Sequence, residues 1–305
     1  MTAKPFLGLD LGGTKVAAGV VTPDGRVLSH VREATSALRA DGDPLRGILR
    51  LGREAVRAAD ASRLEGVGIA LPGPADAAGL RLIQAPTIPE LEGIALEAPL
   101  RAAFGAPVSG DNDANACALA ESRFGAARGS RSMVYFTVST GIGGGIVVEG
   151  ELYRGSRGTS AELGHQAILP LGGPACDCGG SGCLEALASG RGIARRARES
   201  MPERGELTAV EIAELARAGD PTALRIWDET ALYLGLGVAN AINVLDPEVV
   251  VLGGGVAVGA ADLLLEPVRE VVRTRCMPIL RREVPIRVAA LGAEVGIVGA
   301  AALAM

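Results

Sequence analysis

The sequence predicts an α/β protein made of two related lobes that face a shared cleft. Its 305 residues are more than one ordinary compact core holds and fit two lobes of roughly 150 residues each. Two strand–turn–strand units with glycine turns, Phe6–Val21 and Val134–Val148, follow the same order about 130 residues apart. An apolar share of 48% with 43 glycines is typical of glycine-punctuated α/β enzymes rather than of disordered chains.

The two similar units favour a duplicated architecture, although any two strand–turn–strand units resemble one another to some degree. We place a small N-terminal α/β lobe at residues 1–115, completed by a C-terminal helix at about 292–305. A large α/β lobe at residues 116–291 then holds the metal cluster and the nucleotide site described below. The sequence between them has no linker, charge block or low-complexity segment.

Apolar runs and turn residues define the elements of the first lobe. Three short apolar strands with polar turns between them predict a β-meander at the start of the chain. An apolar stripe with helical spacing follows, and then a buried strand that ends at a proline–glycine–proline turn. The predicted elements are the strands 6–11, 16–21, 27–31 and 67–71, the helix 43–59 and the turn Pro72-Gly73-Pro74.

The second lobe is predicted from the same signals. A strand, a glycine turn and a return strand open it, apolar-striped helical segments follow, and a valine-rich strand ends in three glycines. A helix rich in small residues closes the chain. The predicted elements are the strands 134–138, 146–148, 249–252 and 285–290, the last of them at a sheet edge, and the helices 184–199, 209–218, 222–245 and 293–305.

Charge and hydropathy argue against two classes of partner. The net charge of −5 and the isoelectric point of about 5.3 are unlike a nucleic-acid binder, which would present a basic face. The most apolar stretch, Val249–Leu265, is too short and too rich in glycine to span a bilayer. An apolar strand follows Met1 within five residues, without the pattern of a secretory signal, so we expect a cytoplasmic protein.

A histidine and three cysteines form the most specific chemical signal in the sequence. The chain has five cysteines, an odd number, and three of them fall within eight residues, which indicates a metal site rather than a disulfide framework. Three thiolates and one imidazole make a closed tetrahedral Zn²⁺ site, and three unrelated buried thiols are a poor alternative at this spacing. The predicted ligands of a structural zinc are His165, Cys176, Cys178 and Cys183.

The first glycine turn, DLGGTK at residues 10–15, is a candidate phosphate site. Glycines let backbone amides approach a polyphosphate, Thr14 can donate to a phosphoryl oxygen, and Asp10 at the strand end can hold a hydrated Mg²⁺. The motif has neither the Walker A spacing nor the G-x-G-x-x-G spacing. A plain glycine hairpin stays open as an alternative for this turn taken alone. The candidate ATP-binding residues here are Asp10, Gly12, Gly13, Thr14 and Lys15.

Two further glycine segments are candidates for the same nucleotide site. Thr140–Gly145 resembles the first turn, and two such turns could bind a triphosphate from opposite sides. Gly253–Gly255 ends a valine-rich strand, where α/β folds bind nucleotides, and its backbone can lie flat against adenine or ribose. A tight turn and a loop with positive φ are the respective alternatives. The candidate residues are Thr140, Gly141, Gly143, Gly144, Gly253, Gly254 and Gly255.

Carboxylates and an amide are candidates for sugar binding and catalysis. Asn112 can fix a hydroxyl and Asp113 can accept its proton, although either aspartate of this segment could simply be a helix N-cap. Glu162 and Glu185 flank the cysteine cluster, so an ion that holds this segment also holds them. Such acceptors suit a polyhydroxylated ligand, and two exposed surface glutamates are nearly as good an interpretation.

Together these motifs resemble the ROK family of bacterial sugar kinases and sugar-responsive repressors, and the resemblance runs essentially from Leu7 to Leu303. The cysteine-rich segment with the preceding ELGH is its most specific part and occurs intact. The resemblance implies a two-lobed actin/hexokinase-like (ribonuclease H-like) α/β fold with a central cleft. It rests on LDLGGTK at 9–15, GDNDANA at 110–116, STGIGGGI at 139–146, AELGH at 161–165, CDCGGSGCLE at 176–185 and VVLGGG at 250–255.

The resemblance also implies roles for the candidate residues. ATP, with its Mg²⁺, would be bound by the DLGGTK and STGIGGG turns, with VLGGG near the adenosine. Asp113 would be the general base, His165 would serve both zinc and sugar, and Gly73 would lie in the family's proline–glycine turn near the sugar. The implied sugar-binding residues are Gly73, Asn112, Asp113, Glu162, His165 and Glu185.

The expected activity is ATP-dependent phosphorylation of glucose to glucose 6-phosphate, in a homodimer or homotetramer. Kinases of N-acetylglucosamine, N-acetylmannosamine and fructose share these motifs and stay open as alternatives. A non-catalytic sugar-binding regulator would carry a damaged base or damaged turns, whereas Asp113 and both turns are intact. A repressor needs a DNA-binding domain ahead of the first strand, where only about five residues stand.

Two departures from the family pattern concern the sugar lid and the second turn. Thr87–Leu91 stands where many relatives have Asn-Leu-Pro-Gly-Trp, which leaves the choice of sugar open. Ser139 stands where glycine is commoner. Serine is small, so we expect phosphate binding to persist.

Overall fold

The computed structural model of the chain describes residues 4–73, 75–76, 80–83, 88–280 and 284–305. Pro74 and Thr87, which belong to the predicted proline–glycine turn and the predicted sugar lid, lie outside the described residues. Among the helices in these ranges, none combines the length and the apolar character that crossing a bilayer requires.

Two compact units make up the chain. The first comprises Met1–Arg128, Glu151–Ser160 and Leu291–Met305, and the second comprises Gly129–Gly150 and Ala161–Ala290. The predicted boundary at residue 115 differs from this division. It would cut the helix Asp113–Arg123, which packs on the C-terminal helix of the first unit.

Strands and helices are numbered along the chain. The strands are β1 (Phe6–Leu11), β2 (Lys15–Val21), β3 (Val27–Ala34), β4 (Gly66–Leu71), β5 (Ala75–Asp76), β6 (Arg81–Leu82), β7 (Val108–Asn112), β8 (Met133–Val138), β9 (Ile142–Val148), β10 (Glu151–Leu152), β11 (Val249–Gly253) and β12 (Ile286–Val288). The α-helices are α1 (Pro44–Ala58), α2 (Glu97–Phe104), α3 (Asp113–Arg123), α4 (Leu184–Ala188), α5 (Gly190–Ser200), α6 (Ala209–Arg217), α7 (Pro221–Leu245), α8 (Gly254–Gly259), α9 (Ala261–Arg275) and α10 (Val295–Leu303).

The first unit is built on a mixed sheet in the order β3-β2-β1-β4-β7. Strands β1, β2 and β3 are antiparallel neighbours, whereas β1, β4 and β7 run parallel. Nearly every residue of β1 and β4 is buried, which explains why their sequences are apolar without alternation. The meander predicted at the start of the chain is confirmed, and it continues into a parallel half.

Helix α10 packs unusually close to this sheet. A Cβ at Gly8 would collide with the carbonyl of Ile297, and a Cβ at Gly68 would collide with the carbonyl of Ala300. Glycine at these strand positions therefore allows direct backbone contact between helix and sheet. The contact brings the first turn of α10 to the end of β1, where Asp10 lies.

The sheet of the second unit repeats this arrangement. Its strands β9, β8, β11 and β12 lie in this order, with β8 and β9 antiparallel and β8, β11 and β12 parallel. The order and directions match β2, β1, β4 and β7, so the predicted duplication is confirmed at the level of topology. Helix α7 packs on α9, and Trp227 of α7 is buried in the core of this unit.

A predicted helix and a predicted turn have different boundaries in the structure. The single helix predicted over 184–199 is broken at Ser189, whose backbone is extended and whose hydroxyl accepts a hydrogen bond of 3.2 Å from the amide of Gly192 at the start of α5. The glycine turn predicted over 139–145 is shorter, because β9 begins at Ile142. Helices α2, α8 and α9 and strands β5, β6, β7 and β10 were not predicted.

Candidate functional site

The first glycine turn joins β1 to β2 as a tight hairpin. The amide of Gly12 donates to the carbonyl of Lys15 over 3.0 Å, and a Cβ at position 12 would stand 2.6 Å from that oxygen. Thr35 fastens the turn, because its amide donates to the carbonyl of Thr14 and its hydroxyl donates to the carbonyl of Gly12. Gly13 and Thr14 are exposed at the tip, as a phosphate-binding turn requires.

The carboxyl group of Asp10 precedes this turn and contacts the first turn of α10. The contact is so close that a Cβ at Gly296 would collide with its Oδ2 atom. Burial, followed by the charge of Asp113, raises the pKa of Asp10 to about 7. A hydrated divalent cation would favour the ionised form, and the two hard carboxylates are the ligand type that Mg²⁺ prefers.

Strand β7 ends and helix α3 begins at Asn112 and Asp113. The Oδ1 atom of Asn112 accepts a hydrogen bond of 2.9 Å from the amide of Ala114, so Asn112, and neither aspartate, is the N-cap. Asp113 is the first helical residue, where the helix dipole stabilises a carboxylate. The side-chain amide of Asn112 lies 3.4 Å from the carbonyl oxygen of Gly73, so two predicted sugar-site residues are adjacent.

Sequence reasoning missed a buried carboxylate beside this pair. Asp111, whose side chain is 8% exposed, accepts a hydrogen bond of 2.6 Å from Nε of Arg154. Its other oxygen accepts from the side-chain amide of Asn115 over 2.9 Å. Arg154 is 43 residues away in sequence, so no local pattern marks the pair.

The four predicted zinc ligands come together in the second unit. Their donor atoms all lie within 4.8 Å of one another. The Sγ atom of Cys176 is 3.6 Å from Nδ1 of His165, and the Sγ atoms of Cys178 and Cys183 are 3.7 Å apart. Three soft sulfur donors and one imidazole form a set that suits a thiophilic ion of tetrahedral preference.

The thiols of this cluster differ in acidity when no metal is bound. Burial, followed by the neighbouring thiols, raises the pKa of Cys183 to about 12, and burial raises the pKa of Cys176. A hydrogen bond from the backbone at Gly180 lowers the pKa of the exposed Cys178. A cation is therefore needed to hold all three as thiolates at neutral pH.

The imidazole of His165 faces two partners. Its Nδ1 atom points to Cys176, while its Nε2 atom lies 3.9 Å from Oε2 of Glu162. The Glu162 side chain is 58% exposed. One ring nitrogen is thus available to a metal, and the other is available to the carboxylate or to a ligand in solvent.

Glu185 anchors the second glycine turn. Its Oε2 atom accepts a hydrogen bond of 2.8 Å from the amide of Ile142, and a Cβ at Gly141 would collide with that oxygen. Its Oε1 atom lies 3.3 Å from the guanidinium group of Arg191. The side chain is only 15% exposed, so the surface-glutamate interpretation is wrong for Glu185.

The second turn and the glycine triplet line one cavity of about 850 Å³ in the second unit. Thr140 from the turn and Gly255 from the start of α8 both contribute to its wall. Gly254 has a φ of +85°, and a Cβ there would collide with the carbonyl of Val138. The volume falls within the range of roughly 300–1,000 Å³ that is usual for small-molecule sites.

Two of the predicted ATP-binding glycines lie in β9 rather than in the turn. Gly143 pairs with Thr137, and Gly144 pairs with Phe136. Gly144 is buried, and a Cβ there would stand 2.5 Å from Cδ1 of Leu163. Packing against Leu163 therefore accounts for the glycine at 144, and its predicted place in a phosphate turn is corrected.

Comparisons with known proteins agree over the whole chain. The model of the ROK family matches residues 6–305. The chain is 36% identical to the glucokinase of Thermotoga maritima, over 98% of this chain and 96% of the relative.

Solved structures show the same likeness. The ROK hexokinase from Thermus thermophilus superposes with a TM-score of 0.83 at 42% identity, covering 98% of this chain and 97% of that one. The ROK family glucokinase from Streptomyces griseus, solved in complex with glucose and AMPPNP, superposes with a TM-score of 0.80 at 36% identity, covering 97% of this chain and 98% of that one. The fold is therefore that of the ROK hexokinases, as predicted.

Proposed function

The chain belongs to the ROK family, and from that premise we propose that it is an ATP-dependent hexokinase that converts glucose to glucose 6-phosphate. The observation that carries the proposal is its whole-chain similarity to glucokinases, one of them solved with glucose and an ATP analogue. The intact carboxylates and glycine turns supply the groups that such a reaction needs.

Asp113 is the proposed general base. The hexose hydroxyl oxygen bonds to the γ-phosphorus of ATP, the bond from that phosphorus to the bridging oxygen breaks, and ADP leaves. The proton of the attacking hydroxyl passes to the Asp113 carboxylate. Its place at the start of α3 and the adjacent Asn112, which would fix a sugar hydroxyl, support this role.

The proposed phosphate-donor site uses backbone amides and few charges. Asp10 would hold the Mg²⁺ of MgATP through water molecules, and this ion would neutralise part of the phosphate charge. Thr14 would donate to a phosphoryl oxygen. Glycines of both turns, of the first residues of β9 and of the triplet would let the backbone approach the nucleotide. The proposed residues are Asp10, Gly12, Gly13, Thr14, Lys15, Thr140, Gly141, Gly143, Gly253, Gly254 and Gly255.

Zinc is the metal we propose for the cysteine cluster. Zn–S bonds of about 2.3 Å and Zn–N bonds of about 2.0–2.1 Å at tetrahedral angles place two sulfurs about 3.8 Å apart and a sulfur about 3.6 Å from a nitrogen. The Cys178–Cys183 distance of 3.7 Å and the Cys176–His165 distance of 3.6 Å support this assignment. Four protein ligands leave no open position, so the role is structural.

Three residues tied to this cluster are proposed sugar ligands. His165 would bind the metal through Nδ1 and a sugar hydroxyl through Nε2, and Glu162 would accept a hydroxyl beside it. Glu185 would accept another while it keeps its bond to Ile142. A homodimer or homotetramer, which the resemblance implies, stays a prediction.

An assay of ADP release across a sugar panel tests the proposal. Purified protein with MgATP is given glucose, fructose, N-acetylglucosamine, N-acetylmannosamine or no sugar. We expect release with glucose to exceed the sugar-free rate by far, and the ranking of the other sugars to decide the substrate class. Equal release with every sugar and without sugar would contradict the kinase function and favour a non-catalytic sugar-binding protein.

A further inference from the structure

A chain of ion pairs links residues 176–183, here called the metal loop, to the second glycine turn. Asp177 lies between the ligands Cys176 and Cys178, and its carboxylate accepts a hydrogen bond from Nη1 of Arg191. The other terminal nitrogen of the same guanidinium lies 3.3 Å from Glu185, which in turn accepts from the amide of Ile142. One arginine therefore bridges two carboxylates, one within the metal loop and one at the turn.

The backbone reinforces the link at the turn. The amide of Gly190 donates to the carbonyl of Ser139 over 2.8 Å, and the amide of Arg191 donates to the carbonyl of Thr140 over 3.3 Å. The start of α5 thus contacts the turn through main chain and side chain together. Arg191 also lines the 850 Å³ cavity into which Thr140 faces.

The metal loop reaches Glu185 by a second route. Cys183, a member of the metal cluster, is the residue before α4, and Glu185 is the second residue of that helix. A metal ion that holds the cysteines therefore holds Asp177 from one side and Glu185 from the other. Loss of the ion would therefore remove one restraint on the segment that carries Asp177 and one restraint on the segment that carries Glu185.

We propose that Arg191 is a positioning residue that couples occupancy of the metal site to binding of the phosphate donor. The inference rests on the proposed function, since it takes the donor to be ATP. With the metal in place, the two carboxylates hold the guanidinium group and the turn keeps its conformation. Without the metal, the turn loses this support and binds the donor more weakly.

The expected coupling is small and reciprocal. Arg191 and Asp177 are largely exposed, and exposed ion pairs contribute little, so the coupling should change the dissociation constant of MgATP about two- to fivefold. Thermodynamic linkage requires that MgATP tighten metal binding by the same factor. Because solvent-exposed charges are screened, high salt should reduce that factor.

Two binding measurements test the coupling without turnover. Calorimetry gives the MgATP dissociation constant of zinc-loaded and zinc-depleted protein in the absence of sugar. Competition with a chelator of known affinity gives the zinc affinity with and without MgATP. Both are made on the wild type, on Arg191→Ala and on Asp177→Asn, which breaks the link outside the cavity. Arg204→Ala, which removes a different Arg–Asp pair of this unit, is the control.

We expect zinc to increase MgATP affinity about two- to fivefold in the wild type and in Arg204→Ala. In Arg191→Ala and Asp177→Asn we expect a factor near one. All four proteins should still bind zinc. An undiminished factor in both Arg191→Ala and Asp177→Asn, or no coupling in wild-type protein that binds MgATP, would overturn this inference alone. Wild-type protein that binds no MgATP would overturn the proposed function as well.

Discussion

The Nε atom of Arg154 donates a hydrogen bond of 2.6 Å to the carboxylate of Asp111, two residues before the proposed base. The side chain of Asp111 is 8% exposed, while the side chain of Arg154 is 44% exposed. A buried carboxylate needs a cation or several donors to offset its desolvation. Arg154 therefore connects the segment Glu151–Ser160 to the end of β7 and stabilises the strand end that carries Asn112 and Asp113.

Replacing Arg154 with alanine should lower the free energy of unfolding by about 1–3 kcal/mol, because Asp111 loses its charged partner. Urea unfolding at pH 7 measures the effect. Arg39→Ala removes an ion pair of the same unit that is exposed on both sides, and we expect it to cost less than about 1 kcal/mol. Equal losses of unfolding free energy in the two variants would mean that burial of Asp111 does not increase the contribution of its ion pair to stability.

Asp113→Asn should lower kcat about 10²- to 10⁴-fold, because the amide cannot accept the hydroxyl proton. The substitution keeps a polar side chain of similar size, so glucose affinity measured by calorimetry should stay near that of the wild type. Near-normal turnover by this variant would remove Asp113 as the base. Lost glucose binding would instead indicate a role in holding the sugar.

Asp10 should make stability depend on pH. Its pKa of about 7 lies above that of an unfolded chain, so between roughly pH 4 and 7 the folded state binds a proton that the unfolded state has released. The free energy of unfolding must therefore fall as pH rises through this window and level off above pH 7. The full effect is at most about 4 kcal/mol, given 1.36 kcal/mol per pKa unit.

Asp10→Asn is the variant that isolates this effect. Unfolding free energies of both proteins, measured without nucleotide or Mg²⁺ from pH 4.5 to 8.5, should diverge in favour of the variant as pH rises. The variant should also bind MgATP more weakly, because it lacks the carboxylate that would hold the hydrated ion. Parallel stability curves would show that Asp10 is ionised at the lower pH values too.

The local part of the site could be predicted from the sequence, whereas the connections between segments could not. Cys176, Cys178 and Cys183 lie within eight residues, and their chemistry is visible in the spacing alone. The Glu185–Ile142 contact joins residues 43 apart and depends on how α4 packs beside β9. Only the fold brings such residues together.

Predicted boundaries of helices and strands were wrong where a single side chain determines the boundary. Ser189 followed by glycine is a serviceable N-cap signal, but the apolar stripe continues through it, so periodicity alone predicts one helix. Gly143 and Gly144 were predicted in a turn because glycine is common there. Both glycines pair within β9, and Gly144 also packs against Leu163, a tertiary contact that outweighs local preference.

Zinc analysis should find about one ion per chain, and Cys178→Ala should lose it, because three remaining ligands leave a structural site incomplete. Metal content is measured by elemental analysis, and sugar affinity is measured by calorimetry. Cys117→Ala removes a thiol outside the cluster and should keep the metal. If Cys178→Ala kept both its metal and its glucose affinity, the proposed role of the cluster would be wrong.

Two adjacent glycines at the start of α8 should respond oppositely to alanine. Gly254 has a φ of +85° and no room for a Cβ, so Gly254→Ala should lower the free energy of unfolding by about 1–3 kcal/mol. Gly255 has a helical position and nothing within 4 Å of its would-be Cβ, so Gly255→Ala should raise it by up to about 1 kcal/mol.

The two variants also separate backbone strain from nucleotide contact. Gly255 is exposed at the cavity wall, so a methyl group there should weaken MgATP binding if the nucleotide backbone contact is real, while the fold is unharmed. Denaturant unfolding and calorimetry with MgATP give the two quantities independently. Unchanged MgATP affinity in a stable Gly255→Ala protein would mean that the nucleotide does not contact this glycine. A methyl group added at a contact would have to move either the nucleotide or the backbone, and either movement should change the affinity.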